Sequence, residues 1–527
     1  MKKWSIVGIL ALAQFVMVLD STVMNVSISA VVKDLDTTVN AMQAAITFYT
    51  LTMASLMLLG AKLCAKWGLM KAFVIGSIVY GIGSFITAIS PNIGVLMLGW
   101  SFIEALGAVL VIPAIAALVA VHYTGKDRIT AYAIIGGVSG AAAAAGPLIG
   151  GFMTTYLSWR YVFLFETIIM IFVLLASRSF KLKSTAINKP VDVLSAIMSA
   201  VGMCLVVFGM LQSKVWGWVE PIIVPSVNGH QIAPFGISLV AYLILAGSII
   251  LWLFYNRQER LEKAKKNPLL EVSMLKTRTL RAGLGVLMSQ YLIIASVFFV
   301  VPIYLQMVNG LDALQTGLKL MPLSIALILC SLIGTRLVSK YSPRFIIRIG
   351  QALLVIGSIF LLIAVNKDLT GAPFASAMFF VGAGLGLLAS QLGNVNMSAA
   401  KENQTSEVGG LQGTFQNLGS SLGTALIGSI LIASLTTGFI SNINNADLPE
   451  STKDYVNSSV KTVQIVPAAS VKEEALSHGY TTEQAQEISN AYKEAQLSGL
   501  KESIFFLVVL AILSIGLSRG IPNKVIK

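Results

Sequence analysis

Apolar residues gather along this 527-residue chain into fourteen long runs separated by short polar segments. They lie near residues 4–28, 42–62, 71–90, 94–121, 129–154, 160–178, 191–213, 233–256, 281–308, 316–338, 344–365, 371–395, 408–438 and 501–518. About twenty helical residues cross the roughly 30 Å of bilayer hydrocarbon, so each run is read as one span. Lipid leaves no partner for a free backbone N–H or C=O, and helices satisfy their own. The pattern therefore predicts an all-α polytopic membrane protein with 14 transmembrane helices. The first run follows Lys2 and Lys3 as a signal peptide would, yet it is too long and has no convincing small-residue cleavage site before Asp20. It is read as a retained first helix.

The spacing of the runs suggests two six-helix halves, residues 1–178 and 281–527, with an additional helix pair and cytoplasmic linkers in 179–280. Within the linker, RQERLEKAKKNPLLEVSMLKTRTLR (257–281) reads as a solvated tether with no substrate role; the alternative is that its charged first part makes an interfacial helix, with apolar anchors after Pro268. A long outer loop, 441–500, interrupts the second half and carries eight acidic residues against four lysines. After Gly479, Thr481 and Gln484 form a capping-box pattern, and Ala485, Ile488, Tyr492 and Ala495 recur at helical spacing. A helical excursion packed on a second helix or on the rim of the membrane domain is expected there; a substrate gate is the sharper alternative.

Composition agrees with this picture. Hydrophobic residues make up 56% and charged residues 12%, against about 25% charged in soluble domains. The net charge of +13 would suit nucleic-acid binding if it formed a patch, but it is dispersed between the apolar runs. Lys2, Lys3, Lys62, Lys66, Lys71, Lys126, Arg128, Arg178, Lys181, Lys183 and Lys189 fall on one side of the predicted membrane, together with the basic residues of 257–281. Arg336, Lys340, Arg344, Arg348, Lys401, Arg519, Lys524 and Lys527 join them, so both termini are expected in the cytoplasm. Cys64, Cys204 and Cys330 have no metal-ligand spacing. No nucleotide-binding glycine loop is evident, which argues against direct ATP-driven transport.

Three acids stand inside predicted spans: Asp20 in the polar patch DSTVMN, Glu104 and Glu166. A buried carboxylate is costly when charged, so each is expected to face a partner, a cavity or a proton route. Protons and a cationic ligand would then compete for the same oxygens; the plainer alternative is a neutral hydrogen-bonding lock between helices. Met24 and Ser27 share a helical face with Asp20, as possible cavity lining. The run IIGGVSGAAAAAGPLIGG in the fifth span, with Gly146, Pro147, Gly150 and Gly151, suits a moving helix interface or simple close packing. Trp159 and Arg160 of the SWR triplet are expected at the outer interface, Trp159 among headgroups and Arg160 snorkelling or pairing. Pro302, Gly310, Gly317 and Pro322 punctuate the second half. There Gln391, Gln412, Gln416 and Asn417 could bind a polar ligand or equally hydrogen-bond across helices, and Tyr304, Gln306 and Met307 could line a vestibule.

At LDSTVMNVSI, GPLIGG and SWRYVFLFE the chain resembles the fourteen-span drug:proton antiporter branch of the major facilitator superfamily, the multidrug efflux type. The resemblance implies a major facilitator fold with two transport bundles, an inner extra helix pair and alternating access. It implies a bacterial cell membrane location and export driven by inward proton movement, with no cofactor and no metal. It makes Asp20 the leading coupling residue and the Gly146–Gly151 stretch a conformational switch. The loop after the second span departs from the family pattern GxLADRxGRK. Ala65 stands at the usual Asp and Leu69 at the usual Arg, while Leu63, Gly68 and Lys71 fit, the last two as loop-gating residues. Ser101 and Glu104 replace an Arg and a Gln, Glu166 replaces an Asn and Ile168 a Pro. These changes add intramembrane acid where an Arg is lost, which favours a proton or cationic-ligand role.

The expected function is proton-coupled export of lipophilic, cationic compounds by a transporter rather than an enzyme. Its partners would be a small lipophilic substrate or lipid, protons and membrane lipids, with no nucleic acid and no obligate protein partner. The rival readings are an exporter or flippase of a lipid or lipid-linked metabolite, and a non-transporting membrane scaffold or sensor.

Overall fold

A computed structural model describes residues 4–178, 191–227, 230–338, 340–365, 371–399 and 405–524. Fourteen helices among the described residues are long and apolar enough to cross a membrane. They are α1 (Ser5–Asp34), α2 (Val39–Trp67), α3 (Leu69–Ala88), α4 (Ile93–His122), α5 (Gly125–Tyr156), α6 (Trp159–Ser177) and α7 (Val193–Trp216). They continue with α8 (Leu239–Lys263), α9 (Arg278–Val308), α10 (Ala313–Leu337), α11 (Pro343–Ala364), α12 (Ala372–Ser398), α13 (Thr405–Asn445) and α14 (Thr482–Leu517). The β pairing among the described residues is a two-residue ladder, Ser226–Val227 with His230–Gln231. An even number of crossings puts both chain ends on one face, called here the terminal face; the opposite one is the far face. Of the basic residues used for orientation, Lys2, Lys3, Lys181, Lys183, Lys189, Lys401 and Lys527 lie outside the described residues, as do the side chains of Lys126 and Arg128.

Polar residues at the run boundaries start the helices. The side chains of Thr38, Asn92, Ser158 and Ser342 accept from the first free N–H groups of α2, α4, α6 and α11. Asp312 with Gln315, and Thr481 with Gln484, complete capping boxes on α10 and α14.

The second box bears out the helical excursion expected after Gly479 and corrects the bounds of the outer loop. The last helix begins at Thr482 rather than near 501, and α13 continues to Asn445. Both extensions are too polar for an apolar count to detect, yet they form a two-helix stalk beyond the apolar runs. Ala485, Ile488, Tyr492 and Ala495 are all buried, with Tyr492 edge-on to Phe439 of α13 at 5.8 Å. Tyr492 also donates to the Gln464 carbonyl and accepts from the Val466 N–H, so the connecting strap is tied to the stalk. Short helices Glu450–Ser459 and Ala468–Ser477 complete it.

The 257–281 stretch also differs from its expected form. Its charged first part is the end of α8, and Leu269, Leu270, Val272 and Met274 are buried in protein rather than set in lipid. Gln258 accepts from the N–H groups of Leu269 and Leu270 at 2.7 and 3.1 Å. Arg257 donates twice to Asp192, the cap of α7, at 3.0 and 3.1 Å. Partial burial opposes ionisation of Asp192, but the Arg257 and Ser195 contacts outweigh it and hold the carboxyl below its ordinary value. The segment is a docked strap. The Trp159 expectation changes in a similar way, since Trp159 is 3% exposed and donates to Asp34 at 3.0 Å, whereas Arg160 pairs as expected. Arg160 pairs with the same carboxylate at 2.9 Å and reaches the carbonyls of Ala88 and Ser90.

Helices α1 to α6 pack on one another, as do α9 to α14, and the two groups meet along two seams, α2 with α13 and α5 with α10. The α2–α13 seam is closed along its length. Gln43 donates to the Thr424 carbonyl at 2.8 Å and Ser421 to the Thr47 carbonyl at 3.1 Å, while Lys62 and Glu407 pair at the terminal end. The α5–α10 seam is tight toward the far face, where a Cβ on Gly151 or Gly317 would overlap the backbone of Ala313 or Pro147. Toward the terminal face, Gly136, Gly137 and Gly140 of α5 meet nothing within 4 Å.

Helices α7 and α8 pack together and lean on α2 and α13. Lys214 in the last turn of α7 is 5% exposed and donates to Asn40 and Gln43 of α2. Because Gln43 also holds α13, Lys214 fastens the helix pair to the seam. Lys214→Met is expected to leave the Gln43 carbonyl oxygen buried without its donor, at a cost of about 1–3 kcal/mol. A lower thermal unfolding midpoint in detergent checks this, and an unchanged midpoint would refute it.

Candidate functional site

Asp20 on α1, Glu104 on α4 and Glu166 on α6 meet inside the first group of helices. One carboxylate oxygen from each lies within 4.8 Å of the others, and all three residues are 1% exposed or less. The positions of the three acids in the sequence do not by themselves require them to cluster. The approach depends on two glycines. A Cβ at Gly83 of α3 would overlap the backbone of Glu104, and one at Gly107 of α4 would overlap that of Tyr80. With neither present, α3 and α4 run in backbone contact, and Ser84 Oγ donates to Glu104 Oε2 at 2.9 Å. Tyr80 Oη reaches Glu166 Oε2 at 3.4 Å.

Between Met97 and Glu104, α4 winds as a π-helix, a local form common at functional sites. Its wider turn sets Trp100 and Glu104 on one side. Trp100 Nε1 donates to both oxygens of Asp20 at 2.9 and 3.0 Å. The indole stacks on Tyr49 of α2 at 4.8 Å and meets Phe163 of α6 edge-on at 6.4 Å. Asp20 is thus sealed under an aromatic lid.

Among the described residues Glu104 Oε1, Glu166 Oε1 and Tyr49 Oη have no hydrogen-bond partner. Among the described residues none of the three acids has an ion-pair partner. Burying three negative charges together without compensation is prohibitive. The cluster therefore needs positive charge, which shared protons would supply; its oxygens are also close enough together to surround one small cation.

The switch candidates lie directly beside this helix. Gly146 and Gly150 face Thr22 and Val23 of α1, just past Asp20, whereas Pro147 and Gly151 face α10. One stretch of α5 thus touches the acid-bearing helix on one side and the opposite helix group on the other. Met24 and Ser27 are 1% exposed, and Ser27 shares a 2.7 Å hydrogen bond with Thr154 of α5; both sit in a helix contact. Gln391 is buried and donates to the Gly334 carbonyl at 3.0 Å. Gln412 is buried with its Nε2 unpartnered among the described residues, and half-buried Asn417 donates to the Gly413 carbonyl. Gln416 is half-buried nearby. None of these four joins the acid cluster. Gly68 turns the chain between α2 and α3 at φ +90°, with Lys71 exposed one turn on.

Sequence reasoning missed Trp100, Tyr49, Tyr80 and Ser84. A signal existed: Trp100 and Glu104, like Tyr80 and Ser84, are polar-tipped residues four apart within apolar spans. Gln306 was read as vestibule lining, but it ties the two helix groups together. Ser29 donates to its Oε1 and its Nε2 donates to the Val26 carbonyl at 2.8 Å.

The sequence profile described as Major Facilitator Superfamily matches residues 10–424, a range that holds all three acids. The chain is 26% identical over 433 residues to the puromycin resistance protein pur8 of Streptomyces alboniger, covering 81% of each. It is 26% identical over 454 residues to the tetracenomycin C resistance and export protein of Streptomyces glaucescens, covering 85% of this chain and 79% of the relative. In fold it is similar to a bacterial homologue of the human lysosomal transporter Spinster, solved in an inward-facing, unoccupied conformation. That match has a TM-score of 0.60 at 14% identity and covers 98% and 97% of the two chains.

Proposed function

Because the chain belongs to the Major Facilitator Superfamily, we propose that it works as a secondary exporter that moves small lipophilic, cationic compounds out of a bacterial cell in exchange for protons. It is a transporter, not an enzyme, and the family's work needs no cofactor. The resistance and export proteins it resembles support the export reading. The observation that carries proton coupling is the cluster of Asp20, Glu104 and Glu166, three buried acids with no basic partner among the described residues.

In this reading residues 1–178 and 281–527 are the two rocking halves, 179–280 carries the accessory pair, and the terminal face is cytoplasmic. The far-face closure of α5 on α10, with Gln306 bound to α1, corresponds to a state shut toward the outside. From the cytoplasm a cation would be drawn toward deprotonated acids; opening of the far side would admit protons that neutralise them and release it. Reciprocity requires that protons weaken cation binding as strongly as the cation weakens proton binding. The Gly146–Gly151 stretch would transmit the exchange, since it contacts α1 next to Asp20 and α10 together.

The test uses the purified chain in proteoliposomes. An imposed proton gradient should drive ethidium accumulation, and added ethidium should drive proton movement in the opposite direction. Ethidium movement that ignores the gradient would overturn proton coupling, and gradient-driven movement of lipids with no response to ethidium would favour the lipid exporter.

A further inference from the structure

A cavity of about 450 Å³ lies at the far face between the ends of α9, α13 and α14, within the size range of small-molecule sites. It is separate from the acid cluster, and apart from Tyr304 and Val308 its lining falls beyond the residues matched by the superfamily profile. Glu487, Asn490 and Glu494 face it from α14, at positions i, i+3 and i+7 of one helical face. Asn442 and Asn445 face it from α13, and Tyr304 closes it from the π-helical end of α9. Two carboxylates, amide oxygens and an aromatic ring make a lining suited to an organic cation with N–H groups. The carboxylates offset its charge, the amides accept from its N–H groups, and the ring lies against its apolar part. Lys493 on the same lining disfavours a purely inorganic cation and leaves the site one net negative charge.

The position adds a direction. Tyr304 belongs to the same π-turn as Gln306, the residue bound to Val26 and Ser29 of α1. The cavity wall is therefore the turn that holds the far side closed, and a molecule leaving between α1 and α9 would meet this cavity next.

We propose that the cavity is a second, exit-side site for the organic cation that the protein exports, occupied after it leaves the membrane path. This rests on the cation-export reading. Ethidium binding to the full chain in lipid nanodiscs should follow a two-site isotherm. In the double variant Glu487→Gln/Glu494→Gln the weaker site should lose at least about tenfold in affinity, with the other site kept. Lys493→Gln, a change on the same exposed face, should tighten the weaker site. Unchanged isotherms in both variants, or a single-site isotherm in a wild-type protein that still couples ethidium to protons, would overturn the exit site alone. A wild-type protein that neither binds ethidium nor couples it to protons would overturn the export reading, and this inference with it.

Discussion

Asp20→Asn should abolish gradient-driven ethidium export while leaving the protein folded. Asn keeps the shape of Asp and one oxygen for the Trp100 N–H, which now holds both Asp20 oxygens. One carboxylate oxygen each of Glu104 and Glu166 lies within 4.8 Å of an Asp20 oxygen, so the new amide N–H groups have acceptors close by, and a source of like-charge repulsion is gone. Thermal stability should therefore be equal or higher. What disappears is the exchangeable proton. Coupling free energies between two ligands run to about 3 kcal/mol, or about 150-fold in affinity. Gradient-driven accumulation should fall by about that factor, while downhill ethidium exchange across the same vesicles continues. Glu104→Gln and Glu166→Gln should each lose less, because Asp20, on the helix that Gly146 and Gly150 touch, is left in place to carry the exchangeable proton. Unchanged ethidium-dependent proton flux in Asp20→Asn would remove Asp20 from the coupling role.

The spans were legible because run length is a one-dimensional property, and lipid enforces it. The polar stalk was legible only in part: beyond the apolar runs α13 and α14 are held by Phe439, Tyr492 and the strap at 463–466, and no apolar count registers such contacts. Only the Thr481–Gln484 box and the stripe from Ala485 to Ala495 announced a helix there. The acid cluster shows a second limit. Each acid was conspicuous by itself, but their meeting depends on how α1, α3, α4 and α6 are rotated, which Gly83, Gly107 and the π-turn determine through backbone contacts between distant residues. Trp100 was hidden because an indole in an apolar run reads as packing. The GPLIGG stretch carries more information than close packing alone. Residues four apart share a helical face, so Gly146 with Gly150 and Pro147 with Gly151 already marked two neighbours, now seen as α1 and α10.

That division of faces leads to the second large effect, in Gly317→Leu. The Cβ added at 317 would overlap the Pro147 carbonyl oxygen and press on its carbon at 3.0 Å. No side-chain rotamer relieves a clash made by Cβ itself, so either α5 and α10 separate at the far face or a backbone shifts. Overpacking of this kind costs about 1–3 kcal/mol, charged against the far-closed state alone. In a far-open state the same leucine has room, and replacing a mid-helix glycine favours the helix by nearly 1 kcal/mol, so folding should survive. A bias of about 3 kcal/mol changes a two-state ratio by about 150-fold, enough to turn a mostly closed population into a mostly open one. Spin labels at Tyr156 on α5 and Leu311 before α10 should report a longer distance in the variant, and ethidium export should fall about as far as in Asp20→Asn. The two defects would differ in kind. Asp20→Asn should still exchange ethidium downhill, whereas Gly317→Leu, held in one state, should not exchange it at all. Wild-type label distances together with wild-type export would show that the far-face contact between Gly317 and Pro147 is not part of the transport cycle.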